Sequence, residues 1–274
     1  MSTNSYKNYL KEEHFPHIWC PGCGDGIVLH AYAIALAELG LAPKEVVTVT
    51  GIGCWGKSDD YVATHALHGT HGRALAYATG VKLGNPVLTV IALMGDGDAV
   101  TIGGNHFIHA ARRNIDLTAV VINNFNYGMT GGQYSATTPL KSKTTTSPLG
   151  NAEPGFDICS LAEAAGANFV ARTTPFHVVS LKNLLKEGIQ KKGFSLIEVI
   201  TPCPTYFGRY NINSSPVANM HWLKDKAVSV SRYQHMTDED KLQHFAIGTF
   251  VNKDRPDFYT MYQQINDCKW EGGR

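Results

Sequence analysis

The chain has 274 residues, 43% of them apolar, and its 24 Lys and Arg nearly balance its 23 Asp and Glu to leave a formal net charge of +1. That is enough apolar material for one large core, and a charge so close to zero, with no polybasic block, argues against nucleic acid and anionic lipid as partners. Residues 1–11 are polar, the longest apolar run (Leu88 to Met94) is far too short to span a bilayer, and six cysteines are too few for a disulfide scaffold, so a cytoplasmic protein with metal or redox chemistry is expected.

In chain order, helical periodicity over Ile27 to Leu39, closed by Gly40, is followed by a Val-rich run from Val46 to Thr50 that predicts a strand. A helix over Gly72 to Leu83 and a buried strand over Val87 to Met94 repeat the order. Helix Asn105 to Arg113, strand Leu117 to Ile122, helices Ile158 to Ala165 and His177 to Lys192, and strand Leu196 to Ile200 complete it. Strands alternating with helices predict an α/β fold, a mostly parallel sheet with helices on both faces. Thr130 to Gly155 is rich in Gly, Thr, Ser and Pro and has no periodicity, as expected of an active-site loop. Beyond Pro204 the pattern weakens. Residues 1–209 are therefore expected as one domain and 210–274 as a C-terminal arm suited to contact with another subunit.

Ligands of open parallel sheets bind beyond the carboxyl ends of the strands, and four predicted strand ends carry unusual residues: Cys54, Gly95-Asp96-Gly97, Asn123-Asn124 and Cys203. Taken alone, Gly-Asp-Gly is an ordinary turn. With paired asparagines one βα unit later it also suits a Mg²⁺–diphosphate, because glycine lets backbone approach phosphate and a hard cation takes oxygen ligands. Helix entry at Gly103-Gly104-Asn105 offers free N–H groups. The Cys20-x-x-Cys23 pair with two distant single cysteines, Cys54 and Cys203, admits two readings: a structural four-thiolate zinc site, or an iron–sulfur cluster of the kind that joins one close pair to remote ligands.

The stretch GDGDAVTIGGNHFIHAARRN, the later NNFNYGMTGGQYSATTP and the earlier HGRALAYATGVKL resemble the β subunit of 2-oxoacid:ferredoxin oxidoreductases. The resemblance covers roughly Cys20 to Arg209, and in detail NYGMTGGQYSATTP is most similar to the 2-oxoglutarate enzymes. It implies a thiamine-diphosphate-binding domain over 1–209 with an N-terminal cluster-binding segment. Asp96 and Asn124 would hold Mg²⁺ through side chains and Asn126 through its carbonyl. Gly53, Gly95, Gly97, Asp98, Gly128, Met129 and Thr130 would cradle the cofactor, and Cys20, Cys23, Cys54 and Cys203 would ligate a [4Fe–4S] cluster. Cys159 and Cys268 are left as ordinary packing or surface cysteines.

By the same resemblance, Lys57 would meet a substrate carboxylate or the diphosphate and His71 would lie near the thiazolium, His68 possessing a similar position in sequence. Without the resemblance, Lys57 is a solvated lysine and the histidines are packed or exposed. Arg73 would hold the loop or a phosphate, and His106 and His109 belong to helix packing. The implied reaction is oxidative decarboxylation of a 2-oxoacid, 2-oxoglutarate first and a branched-chain 2-oxoacid or pyruvate next, with coenzyme A taking the acyl group and ferredoxin the electrons. No second α/β domain is legible to carry the glutamate that activates the aminopyrimidine, so an α subunit in an (αβ)₂ assembly is implied. The rivals are a non-redox thiamine-diphosphate decarboxylase subunit with structural zinc, and a non-enzymatic scaffold that retains the fold.

Overall fold

The structure, a computed structural model, describes residues 5–271, with the side chains of 268–271 outside that description. Cys268 therefore lies outside the described side chains.

The helices are α1 (Asp25–Leu39), α2 (Ala74–Gly84), α3 (Gly104–Arg112), α4 (Ile158–Ala165), α5 (Val178–Gln190), α6 (Phe207–Asn211), α7 (Pro216–Lys226), α8 (Val230–Gln234), α9 (Asp238–Lys241) and α10 (Phe258–Glu271). The strands are β1 (Val46–Thr50), β2 (His65–His68), β3 (Thr89–Gly95), β4 (Thr118–Asn123), β5 (Phe169–Thr173), β6 (Ser195–Ile200), β7 (Ala227–Ser229) and β8 (Phe245–Asn252). They form one sheet in the order β2-β1-β3-β4-β6-β5-β8-β7. From β2 to β5 every neighbour is parallel, and β8 runs antiparallel to β5.

Strands β1, β4 and β6 are buried at every position, as continuous Val, Ile and Leu runs require when both faces of a parallel sheet are covered. One face packs against α2, α3 and α4 through Phe107, Leu75 and Phe194. The other is closed by α1 and α5, with Leu36, Tyr32 and Leu185 in the core. Each such side chain contributes about 1.5–3 kcal/mol on burial. Helix α1 ends at Gly40, whose φ of 67° is the left-handed cap that a side chain resists.

Three elements depart from expectation. Strand β2, His-Ala-Leu-His, is an exposed edge and so lacks an apolar run. Strand β5 carries Arg172, which breaks the pattern that marks its neighbours. The segment expected as an arm is joined to the sheet, because β8 pairs with β5 from Phe169↔Asn252 to Arg172↔Gly248 across a register shift.

The chain leaves β1 to form β2 on one side and returns as β3 on the other. This reversal opens a crevice at the carboxyl ends of β1 and β3, where open α/β sheets take ligands. No helix among the described residues is long and apolar enough to cross a membrane.

Candidate active site

Loops leaving β1, β3 and β4 meet in one pocket. Its walls are Ile52, Gly53, Cys54, Trp55, His71, Gly95 to Asp98, Asn124 and Asn126 to Thr130. Every residue expected to cradle the cofactor or hold its Mg²⁺ lines it, as does His71.

Asp96 is 1% exposed. Its Oδ2 accepts from Ser135 Oγ at 2.5 Å and from Thr137 Oγ1, and burial pushes its pKa up to about 6 against the pull of these hydroxyls. The sequence pattern missed Ser135 and Thr137; the only signal was the Ser/Thr richness of the 130–155 loop. Asp98 Oδ1 accepts from His71 Nδ1 at 2.7 Å and from the Gly72 amide at 2.5 Å, while its Oδ2 has no partner. Gly51 lies so close beneath this carboxylate that a β-carbon would fall 1.8 Å from Oδ2, so only glycine fits there.

At the end of β4, Asn124 Oδ1 accepts from the Asn126 amide at 3.2 Å, and Phe125 between them has a φ of 64°. Asn126 is 2% exposed, and both polar atoms of its side chain lack partners. Buried polar atoms of this kind cost free energy until something satisfies them. The loop then folds back, with the Tyr127 amide donating to Gln133 O at 2.9 Å. The Tyr127 ring lies over Gly97, where a β-carbon would fall 2.3 Å from a ring carbon. Together the orphaned atoms, the buried carboxylates without a lysine or arginine partner and the open floor at Gly95 fit a Mg²⁺–diphosphate.

A second cavity of about 270 Å³ adjoins the first and is lined by Cys20, Cys23, Cys54 and Cys203, with Trp19, Asp25 and Thr201. Cys54, Asn124, Gly128 and Met129 line both. The Cys20–Gly24 loop is tight: Gly22 and Gly24 have φ of 81° and 88° and pack on Pro216 and Pro175. Trp19 Nε1 donates to Cys54 O at 2.7 Å, Thr205 Oγ1 donates to Cys20 Sγ at 3.3 Å, and the Cys203 amide donates to Asn124 O at 3.3 Å.

Burial raises the Cys23 thiol, pushes Cys54 up to about 12 and also raises Cys203, with neighbouring Asp25 and the other cysteines adding to it for Cys23 and Cys54. Such thiols hold their protons until a metal displaces them. Among the described residues, the only three His, Cys, Asp or Glu ligand atoms within 4.8 Å of one another belong to Asp157, Cys159 and Glu198. No three of the four pocket thiols lie that close to one another, whereas one tetrahedral ion with about 2.3 Å bonds needs all its sulfurs roughly 3.8 Å apart. The donor set thus fits a cluster better than a single zinc ion.

The remaining candidates lie outside these cavities. Lys57, on the turn after Cys54, is paired with Asp60 at 2.6 Å. His68 is paired with Asp59 at 3.2 Å. Arg73 Nη1 donates to Gly72 O at 3.4 Å, and His106 and His109 are half-buried on α3. Cys159 is buried under β6.

Residues 51–199 match the family model of the thiamine pyrophosphate enzyme C-terminal TPP binding domain. The chain is 46% identical over 250 residues to 2-oxoglutarate synthase subunit KorB of Methanocaldococcus jannaschii, covering 91% of this chain and 93% of the relative. It is 55% identical over 201 residues to the KorB subunit of Archaeoglobus fulgidus, covering 73% and 75%. Among solved structures it resembles 2-oxoglutarate:ferredoxin oxidoreductase from Magnetococcus marinus with 2-oxoglutarate, coenzyme A and succinyl-CoA bound, with a TM-score of 0.86, 29% identity, and coverage of 100% of this chain and 93% of that one. With the site's two adjoining cavities and identity sustained over nine-tenths of its length, the chain belongs to the family of the KorB subunits of 2-oxoglutarate synthase, within the thiamine pyrophosphate enzymes.

Proposed function

We propose that this chain is the β subunit of a 2-oxoglutarate:ferredoxin oxidoreductase, converting 2-oxoglutarate and coenzyme A to succinyl-CoA and carbon dioxide while reducing ferredoxin. The observation that carries this is the shared wall: a pocket of buried carboxylates with no lysine or arginine partner and a four-cysteine cavity meet at Cys54, Asn124, Gly128 and Met129. A decarboxylase without redox chemistry has no use for that adjacency. The KorB names of the relatives favour 2-oxoglutarate over a branched-chain 2-oxoacid or pyruvate.

Thiamine diphosphate, when bound, supplies the carbon centre that attacks the 2-oxo group and accepts the electron pair left by carbon dioxide. In this reading the chain's residues bind and orient. Asp96 and Asn124 side chains and the Asn126 carbonyl would hold Mg²⁺; Ser135 and Thr137, both on Oδ2, fix the Asp96 carboxylate and leave its other oxygen available to a cation. Gly53, Gly95, Gly97, Asp98 and the turn Gly128-Met129-Thr130 shape the cradle. His71, with Nδ1 engaged by Asp98, presents its other ring nitrogen to the pocket as a proton-transfer group, and Lys57 meets a carboxylate of the substrate. Cys20, Cys23, Cys54 and Cys203 would ligate a [4Fe–4S] cluster, which would supply a one-electron acceptor beside the cofactor pocket. An α subunit supplies the activating glutamate in an (αβ)₂ assembly in the cytoplasm, with residues 1–209 as the catalytic domain and 210–274 extending its sheet through β8.

The test is to co-purify the chain anaerobically with its partner subunit and assay 2-oxoglutarate, a branched-chain 2-oxoacid and pyruvate with coenzyme A and ferredoxin. Brown protein with highest kcat/KM on 2-oxoglutarate is expected, with no turnover by either subunit alone. Colourless, zinc-containing protein that decarboxylates without reducing ferredoxin would overturn the proposal.

A further inference from the structure

Asn123, the first residue of the Asn-Asn pair, faces away from the cofactor pocket. It is 3% exposed, and its amide spans two partners: Nδ2 donates to Glu198 Oε1 at 2.7 Å, and Oδ1 accepts from the Phe125 amide at 3.3 Å. Glu198 is 1% exposed, and its other oxygen, Oε2, accepts from Arg172 Nε at 2.6 Å and from Cys159 Sγ at 3.2 Å. Arg172 reaches on to Asp157 Oδ1 at 2.7 Å and lies over the Phe250 ring of β8. This polar line crosses a sheet face otherwise built from Val121, Val170 and Leu196. A buried ion pair is a poor means of stabilising a sheet, since apolar residues of similar size do as well or better. Its presence points to orientation.

An asparagine amide has one donor end and one acceptor end. Because Arg172 holds Glu198 as an acceptor, the donor end of Asn123 must face Glu198, which leaves the oxygen to receive the Phe125 amide. Phe125 has a φ of 64°, a conformation costly for an aromatic residue and kept only where its surroundings enforce it. The same turn places Asn124 and Asn126 on the pocket side. We infer that the buried Arg172–Glu198–Asn123 line positions the Asn124–Asn126 turn for Mg²⁺–thiamine diphosphate, with Asn123 and Glu198 as positioning residues that touch neither ion nor cofactor. This rests on the cofactor reading above.

Glu198→Gln tests it. Arg172 still demands the glutamine oxygen, so the glutamine NH₂ faces Asn123, the Asn123 amide inverts, and its NH₂ opposes the Phe125 N–H. Asn123→Asp added to Glu198→Gln restores an acceptor on both sides. On cofactor-stripped complex with the partner subunit, calorimetric titration with thiamine diphosphate at fixed Mg²⁺ should show affinity at least tenfold weaker for Glu198→Gln and within about threefold of wild type for the double variant. Iron content should be unchanged. A purely structural ion pair predicts the reverse: lowered Tm in both variants and no rescue of binding. Wild-type affinity in Glu198→Gln, or a double variant no tighter than the single, overturns the inference. Should Glu198→Gln fail to fold, Asn123→Leu, which leaves the ion pair intact, must bind at least tenfold more weakly, and wild-type binding by it overturns the inference equally. Asp96→Ala is the reference: if it too binds as wild type, the cofactor reading itself falls, whereas loss in Asp96→Ala alone removes only the positioning role.

Discussion

Two groups of buried or half-buried acids in this chain have opposite surroundings. Asp116 and Glu198 each face a cation, Lys82 at 2.8 Å and Arg172 at 2.6 Å. Asp25 at the start of α1, and Asp96 and Asp98 just after β3, have no lysine or arginine paired with them among the described residues. The consequences are opposite. Burial pulls Asp116 up, but its bonds to Lys82 and the nearby charge of Lys192 bring it below the ordinary carboxylate range. With no such counterweight, burial pushes Asp25 up to about 7 and Asp96 to about 6. A paired acid is complete within the chain. An acid without a cation is not, and here Asp25, Asp96 and Asp98 border the two cavities.

The sharpest way to break this contrast is Asp96→Ala. Calorimetry should show loss of Mg²⁺–thiamine diphosphate binding by more than about a hundredfold, with iron content intact; full activity in this variant would remove the assignment. For the thiol cavity, Cys→Ser at 20, 23, 54 and 203 should each abolish or severely deplete bound iron and sulfide, while Cys159→Ser keeps both. A fourfold identical loss extending to Cys159 would point to misfolding instead.

On the paired side, Lys82→Met should cost about 1–3 kcal/mol in denaturant unfolding, because it leaves the half-buried Asp116 with the Gly193 amide and only the exposed Lys192, at 3.1 Å, as a cation. Cofactor affinity should not change. Lys57 stands between the two sets: its pair with Asp60 is substantially exposed and adds little to the fold. Lys57→Met should therefore leave Tm unchanged yet lower kcat/KM for 2-oxoglutarate about tenfold or more, with a smaller loss for a monocarboxylic 2-oxoacid. Equal losses would assign Lys57 to the shared carboxylate or the diphosphate, and no loss would return it to solvent.

The smallest effect is a pH slope. Asp96 has a folded pKa of about 6 against 3.8 for an ordinary aspartate. Between pH 4 and 6 the native cofactor-free protein holds a proton that the unfolded chain has released, so this group's contribution to stability falls as pH rises, by at most about 1.4 kcal/mol per pH unit. Mg²⁺ needs the ionised carboxylate, so the rise in Tm caused by Mg²⁺–thiamine diphosphate should grow from pH 5 to 7. In Asp96→Asn that pH dependence should be lost.

How much of this was legible depended on where each residue's partners lie. Strands β1, β3, β4 and β6 announce themselves because both sheet faces bury them. Strand β5 does not, since Arg172 interrupts it for the sake of Glu198, a partner 26 positions away. Asp96, Asn124, Cys54 and Cys203 stand just after legible strands, so topology brings them together, while Cys20 and Cys23 are marked by their own close spacing before α1. Ser135 and Thr137 sit in a loop without period and reach Asp96 across 39 and 41 residues, a distance no local pattern encodes. The Lys57–Asp60 pair is local, at i and i+3, yet surface lysines beside acids are too common to single one out.

Gly128 stands in the wall common to both cavities. A β-carbon there would lie 3.5 Å from Cys54 Sγ, 3.6 Å from Cys203 Sγ and 3.5 Å from Asn124 Nδ2. In the proposed reaction, carbon chemistry and electron storage are thus separated by a partition one peptide thick. Electron tunnelling slows steeply with every added ångström, so the bare backbone at this position keeps the hop short. Alanine fits at ordinary contact distance, whereas a valine would wedge the compartments apart and turn electron departure into the slow step of the cycle.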